Sequence, residues 1–199
     1  MFLYITNIYK YYTKKSEPFQ GYKMKGWFFI MNEKVKDLLQ QQVNKELYSA
    51  YLYLDMSNFY TSSSLDGFAH WFKLQAQEEF DHAMLISQYL QNSDIDVVLD
   101  AIDAPNASYD DFKKPLTMAL DHEKYVTSLI NDIYSEALAN KDYRTGQFLD
   151  WFIAEQAEEE ATAQDLIARF ELFGDDSKGL YMLDKELGAR VYETPSLEL

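Results

Sequence analysis

Cysteine is absent from all 199 residues. That absence removes disulfide frameworks, thiolate zinc sites and thiol catalysis together, and it suits a reducing, cytoplasmic setting. Helix breakers are scarce too, with 7 Gly and 4 Pro. So few in a chain of this length point to an all-α protein. No apolar run approaches the ~18–20 residues of a membrane span, so no membrane partner is expected. Basic residues are outnumbered, 18 against 33 acidic ones, for a net charge of −15. Such acidity argues against nucleic acid as a partner and favours the attraction of cations. What the chain does have is apolar content, 47% of residues with 16% aromatic, which suffices for one globular domain with a sizeable core.

Residues 1–30 differ in kind from the rest. They hold five Lys against one Glu, and taking that +4 from the whole-chain −15 leaves −19 for the remainder. They show no helical stripe, "SEPFQG" interrupts them, and their longest apolar run comes at the end, the wrong order for a signal peptide. The expectation is a leader outside the folded domain, either a mis-assigned start with Met31 as initiator or a disordered arm. A targeting segment is the remaining reading.

From residue 31 onward, four long helical patterns are predicted, at about 32–61, 65–92, 110–140 and 143–173. They stop at "TSSS", "QNSD", "NKDY" and Gly174, and "SYDDF" supplies a Ser or Asp N-cap for the third. "DDSKGLYMLDKELG" reads as a short fifth helix. Short links make the first pair and the last pair antiparallel. The connection "SDIDVVLDAIDAPNASYD" is long enough to run the length of a bundle, which makes the second and third helices parallel.

On a wheel of about 100° per residue, a glutamate occupies the middle of each apolar stripe. Glu46 lies among Val35, Leu39, Ala50 and Tyr53, and Glu79 among Phe68, Phe72, Ala83 and Ile86. Glu123 falls between Ala119 and Ile130, and Glu159 between Phe152 and Ala163. Each is near the midpoint of its helix, so in a bundle the four would meet in one layer. Four unpaired buried carboxylates would each cost several kcal/mol or take up a proton. No Lys or Arg on these stripes lies near that layer, so the charge must come from elsewhere. Two divalent metal ions would balance it, and oxygen ligands with the imidazole of His82, three residues after Glu79, suit iron or manganese. A lone Glu-x-x-His is more often a surface pair; four mid-helix glutamates, one per stripe, are hard to obtain from solvated faces. Most aromatic residues on the stripes read as core, His122 as surface and His70 as structural.

The stretches "NKELYSAYLY", "AQEEFDHAM", "LDHEKYV", "WFIAEQAEEE" and "GLYMLDKEL" resemble the bacterial non-haem ferritins, over essentially residues 32–190. The resemblance implies a ferritin-like four-helix bundle with one long crossover plus a short fifth C-terminal helix lining a fourfold axis. Residues 31–190 would form the di-iron domain and 191–199 a C-terminal tail. It implies a homo-24-mer shell whose subunits oxidise Fe(II) with dioxygen or hydrogen peroxide and store the ferric product as a mineral. By the same resemblance Glu46, Glu79 and His82 are the first iron site. Glu79, Glu123 and Glu159 are the second, bridged by Glu79, with Gln156 beside it and Tyr53 as an electron donor. Glu78, Glu155 and Glu158, with Glu159, match a third iron site, although "EEE" is equally a solvated charge run.

Haem is not expected. The haem-containing relatives carry a second Glu-x-x-His in the fourth helix, where this chain has Gln156-Ala157-Glu158-Glu159, and a methionine where it has Phe80. Two other readings remain open on sequence: a shell that stores iron without a rapid oxidation step, and a di-iron oxygenase acting on an organic substrate.

Overall fold

The computed structural model describes residues 31–197 and Leu199. The leader reading of residues 1–30 lies outside the described residues. Five helices are present there: α1 (Glu33–Ser62), α2 (Asp66–Asn92), α3 (Lys114–Ala139), α4 (Tyr143–Phe173) and α5 (Ser177–Leu187).

Side-chain caps start three of them. Asn32 Oδ1 accepts the Lys34 N–H at 2.9 Å, Asp142 Oδ1 that of Thr145 at 3.0 Å, and Asp176 Oδ2 that of Gly179 at 2.7 Å. The start of α3 differs from the expected one by about four residues. "DDF" forms a bend, and Pro115 sits in the first turn, where its missing N–H costs nothing. Asp111 still acts as a cap, its Oδ1 accepting the N–H groups of Lys113 and Lys114 at 2.8 and 2.7 Å.

The three helix reversals are made without glycine. Ser64, Asp94 and Lys141 take the left-handed conformation, with φ of 60°, 62° and 57°. Each is followed by the six-residue hydrogen bond of a Schellman ending, Leu65 N–H to Tyr60 O, Ile95 N–H to Leu90 O and Asp142 N–H to Ala137 O. Gly174 is different: it ends α4 while staying right-handed, and a Cβ there would lie 2.6 Å from Phe170 O.

Cross-helix contacts give the topology. The start of α1 meets the end of α3 through Asn32 and Asn140, and the end of α1 meets the start of α3 through Tyr60 and the Phe112 carbonyl. Phe68 packs on Phe170 and Tyr89 on Phe148, so α2 and α4 are antiparallel as well. The long connection runs along α1. Gln40 donates to the Asp96 carbonyl, Asn44 to that of Ala101, and Tyr109 to Asp55. α2 and α3 therefore point the same way, as the loop lengths imply.

The apolar core is in two halves. One contains Met56, Tyr60, Phe68, Phe72, Leu116 and Phe170; the other contains Val35, Leu39, Ile86, Leu90, Ile130 and Phe152. In every long helix the stripe glutamate falls between the two halves.

α5 is tied to the head of α2. The α2 N-cap, Leu65, has no side chain that can cap, and Asp184 of α5 replaces it, Oδ1 accepting the N–H groups of Gly67 and Phe68 at 2.7 and 3.1 Å. This close approach requires glycine, because a Cβ on residue 67 would lie 1.6 Å from Asp184 O. Gly67→Ala is therefore expected to detach α5 while α1–α4 stay folded. Hydrogen exchange should accelerate across 177–187 with little change in far-ultraviolet circular dichroism; unchanged protection of α5 would contradict the contact.

Candidate metal centre

The helical period and the four-way packing bring one glutamate per helix into the gap between the core halves. Glu46, Glu79, Glu123 and Glu159 are 1, 1, 2 and 7% exposed, and His82 is 1% exposed. One ligand atom each of Glu46, Glu79 and His82 lie within 4.8 Å of one another. His82 Nδ1 is 3.5 Å from Glu79 Oε2. The His82 ring is fixed edge-on against Trp151 and Phe152, at 5.5 and 5.8 Å between centroids.

Neutral donors hold one oxygen each of Glu46 and Glu159 and both of Glu123. Gln42 donates to Glu46 Oε1 at 2.9 Å, Gln75 to Glu159 Oε2 at 2.7 Å, and Gln156 to Glu123 Oε2 at 3.1 Å. The Tyr53 hydroxyl donates to Glu123 Oε1. Left without a hydrogen bond are Glu46 Oε2, Glu79 Oε2 and both ring nitrogens of His82. Buried polar atoms are almost always paired; four of the six unpaired ones among the described residues are carboxylate oxygens and imidazole nitrogens of this one cluster, the others being Asn44 Oδ1 and Ser93 Oγ. That donor set fits a hard or borderline cation with N/O ligands.

The electrostatics carry the same message. Burial, and then the neighbouring carboxylates Glu123, Glu46 and Glu159, hold the Glu79 carboxyl well above its usual range. Burial likewise raises Glu46, Glu123 and Glu159, against partial relief from the amide and hydroxyl donors. Burial lowers His82 to about 4, so at neutral pH the imidazole is uncharged and its nitrogens can accept a metal. Tyr53 is pushed upward by burial and by Glu123, and it stays protonated.

Glu78, Glu155 and Glu158 are not in this layer. With His82 and Glu159 they line a cavity of about 490 Å³ between α2 and α4. Glu78 is not free in it: Arg190 donates to both of its oxygens, at 2.9 and 2.8 Å. Arg190 arrives from beyond α5 and not from any of the four stripes, so the sequence pattern of the stripes gives no sign of it. The sequence reading also passed over Gln42 and Gln75, both 2% exposed. The available signal was an amide on an apolar stripe, one turn before Glu46 and Glu79. His122 departs from the surface reading: it is half-buried, 2.7 Å from Ser49 Oγ, with the rings of Tyr48 and Tyr53 at 5.9 and 6.0 Å.

Comparison with known proteins adds independent findings. The sequence profile of the Ferritin-like domain matches residues 36–173. A bacterial non-heme ferritin of Campylobacter jejuni is 35% identical over 156 residues, covering 78% of this chain and 93% of that one. An open-pore ferritin from the hyperthermophilic archaeon Archaeoglobus fulgidus is 38% identical with a TM-score of 0.79, covering 81% of this chain and 98% of that one. Its engineered closed form gives a TM-score of 0.80 at 38% identity, over 82% of this chain and all of that one.

The raised carboxyl of Glu79 makes a prediction with a definite sign. Its contribution to stability is fully present below the ordinary glutamate value and is lost as pH rises through the raised folded value. In the chelator-treated protein, Glu79→Gln is therefore expected to stabilise at pH 7.5, by on the order of 1–3 kcal/mol, the cost of a poorly paired buried group. The gain should shrink as pH falls toward 4.5 and is read as a Tm difference, roughly 2–4 °C per kcal/mol for a chain of this size. A gain that did not vary with pH would show that charge at Glu79 is not the source of the cost.

Proposed function

The chain belongs to the ferritin family, and from that premise we propose that it takes up Fe(II), oxidises it at a di-iron centre within each subunit, and stores the ferric product as a mineral inside a 24-subunit cytoplasmic shell. The observation that carries this reading is the buried layer of four glutamates, with unpartnered atoms of Glu46, Glu79 and His82 gathered at its centre. In this assignment Glu46, Glu79 and His82 hold the first iron. Glu79, Glu123 and Glu159 hold the second, so Glu79 bridges.

Iron here is substrate and cargo. Two Fe(II) ions give one electron each, and dioxygen takes both electrons with two protons to leave as hydrogen peroxide. Peroxide can in turn serve as the oxidant for two more Fe(II). The protein's part is to strip water from the incoming ions in a dry bundle core and to hold them side by side. The carboxyls that ionise on binding release their protons. Gln156 keeps the Glu123 carboxylate turned toward the layer. Tyr53 stands at the same carboxylate, where its phenol can give an electron during oxygen reduction. A ligand set dominated by carboxylates holds Fe(III) loosely enough to pass it onward.

The test is to add about two Fe(II) per subunit to the metal-free protein in air and follow the near-ultraviolet absorbance. The wild type is expected to show a fast rise. Glu79→Ala should slow it more than about a hundredfold, since loss of even an outer-shell partner costs 10–100-fold. A rise no faster than that of iron in buffer, with iron still bound, would instead make this a storage shell without an oxidation step.

Tyr53→Phe is expected to keep iron binding and the shell intact while slowing repeated turnover by about tenfold. Equal turnover numbers for the two proteins would remove the electron-donor role. Sedimentation of either protein reports the assembly. A monomer or dimer would favour a di-iron oxygenase over a storage shell.

A further inference from the structure

The segment after α5 folds back over the 490 Å³ cavity and forms its roof, while Glu78, His82, Glu155, Glu158 and Glu159 form the walls. Three groups of contacts hold it. At the near end the Arg190 carbonyl bonds His70 Nε2 at 2.9 Å, and the guanidinium lies 5.3 Å from the Trp71 ring centroid. In the middle the Tyr192 hydroxyl donates to Asp81. At the far end Trp151 Nε1 donates to Ser196 Oγ at 3.2 Å, and Leu197 packs on the apolar core.

Arg190 does more than anchor the segment. Its Nη2 donates to both oxygens of Glu78. Its Nη1 donates to Gln75 Oε1, and the Gln75 amide donates in turn to Glu159 Oε2 at 2.7 Å. The guanidinium is thus connected to the buried glutamate layer through one carboxamide. The cavity communicates with the same layer through His82 and Glu159. His82, 1% exposed and without a hydrogen bond at either nitrogen, has Nε2 3.9 Å from Glu155 Oε1. Iron on its way between the layer and the cavity therefore meets Glu78, and Glu78 already has a cation.

We propose that residues 190–197 are a cation-operated strap, in which Arg190 occupies the Glu78 corner of the cavity as an internal cation and is displaced when a metal ion binds there. The inference rests on the reading that iron passes through the glutamate layer. A guanidinium that donates to both oxygens of a carboxylate uses the same two oxygens that a metal would take, so occupancy is exchange and not addition. Displacement removes the strongest polar anchor of the strap and frees the second side of Gln75. The fill state of the cavity would then set the order of the strap, and the strap would hold the cavity closed until the buried layer is full.

Zn(II), which is redox-inert, separates this from oxidation chemistry. The full-length metal-free protein is titrated with Zn(II) while binding is measured by equilibrium dialysis and strap order by hydrogen exchange of 189–197. In wild type, the ions that fill the buried layer should leave strap exchange unchanged, and a weaker further ion should accelerate it. Arg190→Ala should tighten that further ion by about tenfold, the scale of a charge-assisted bond that no longer has to be broken. Its strap should exchange fast even without metal. Glu78→Gln should also loosen the strap but weaken the further ion, which separates lost anchoring from lost ligation. An unchanged further affinity in Arg190→Ala, or strap exchange indifferent to Zn(II) throughout, would overturn the proposal. If instead the tight ions were absent, or were insensitive to Glu79→Ala, the underlying reading of the layer would be what fails.

Discussion

The dominant constraint in this molecule is the burial of four glutamate carboxyls in one dry layer, with their mutual proximity adding to the cost. The layer divides the core into two apolar halves. It also fixes the relative axial positions of the helices, since sliding one of them by a turn would leave its glutamate against aliphatic side chains without its amide partner. The protein reduces the cost with neutral donors. Gln42, Gln75, Gln156 and Tyr53 each take one carboxylate oxygen. No cation from the four long helices neutralises the layer. The unpaired atoms of Glu46, Glu79 and His82 lie together, at a cost in stability that no protein group offsets.

The fold is also sparing with glycine at its helix reversals. The three reversals use serine, aspartate and lysine in the left-handed conformation, each secured by a Schellman hydrogen bond. At residue 67, beneath α5, glycine stands where a side chain cannot fit. That contact has a reach beyond its own corner. Asp184 caps α2, the residues after α5 carry Arg190 back to Glu78 and Gln75, and Gln75 bonds Glu159. The C-terminal elements are therefore joined to the glutamate layer through Asp184, Arg190 and Gln75.

Much of this was legible from periodicity. Residues that recur at 3.6 positions must share a face, so the wheel placed Glu46, Glu79, Glu123 and Glu159 inward, and Glu-x-x-His placed His82 one turn along. The long connection and two short links determined which helices run parallel. Less legible were features that depend on neighbours distant in sequence. The onset of α3 shifted because Asp111 caps from outside the helix and Pro115 takes the first turn. His122 is drawn in by Ser49 and two tyrosines of α1. An amide such as Gln75 has no signature of its own, because its value lies in having Glu159 on one side and Arg190 on the other.

By itself, then, the sequence determined the helices, their inward faces and the identity of the buried acids, because these follow from local period and from the charge that each stripe carries. Only the tertiary structure decided which oxygens are satisfied and which are orphaned, that Glu78 is held by Arg190, and that the chain's last residues roof the acidic cavity. Those outcomes depend mostly on distances between segments far apart in the chain, such as Tyr53 and Glu123, Gln75 and Glu159, or Glu78 and Arg190. Nothing in local period or propensity encodes such a distance.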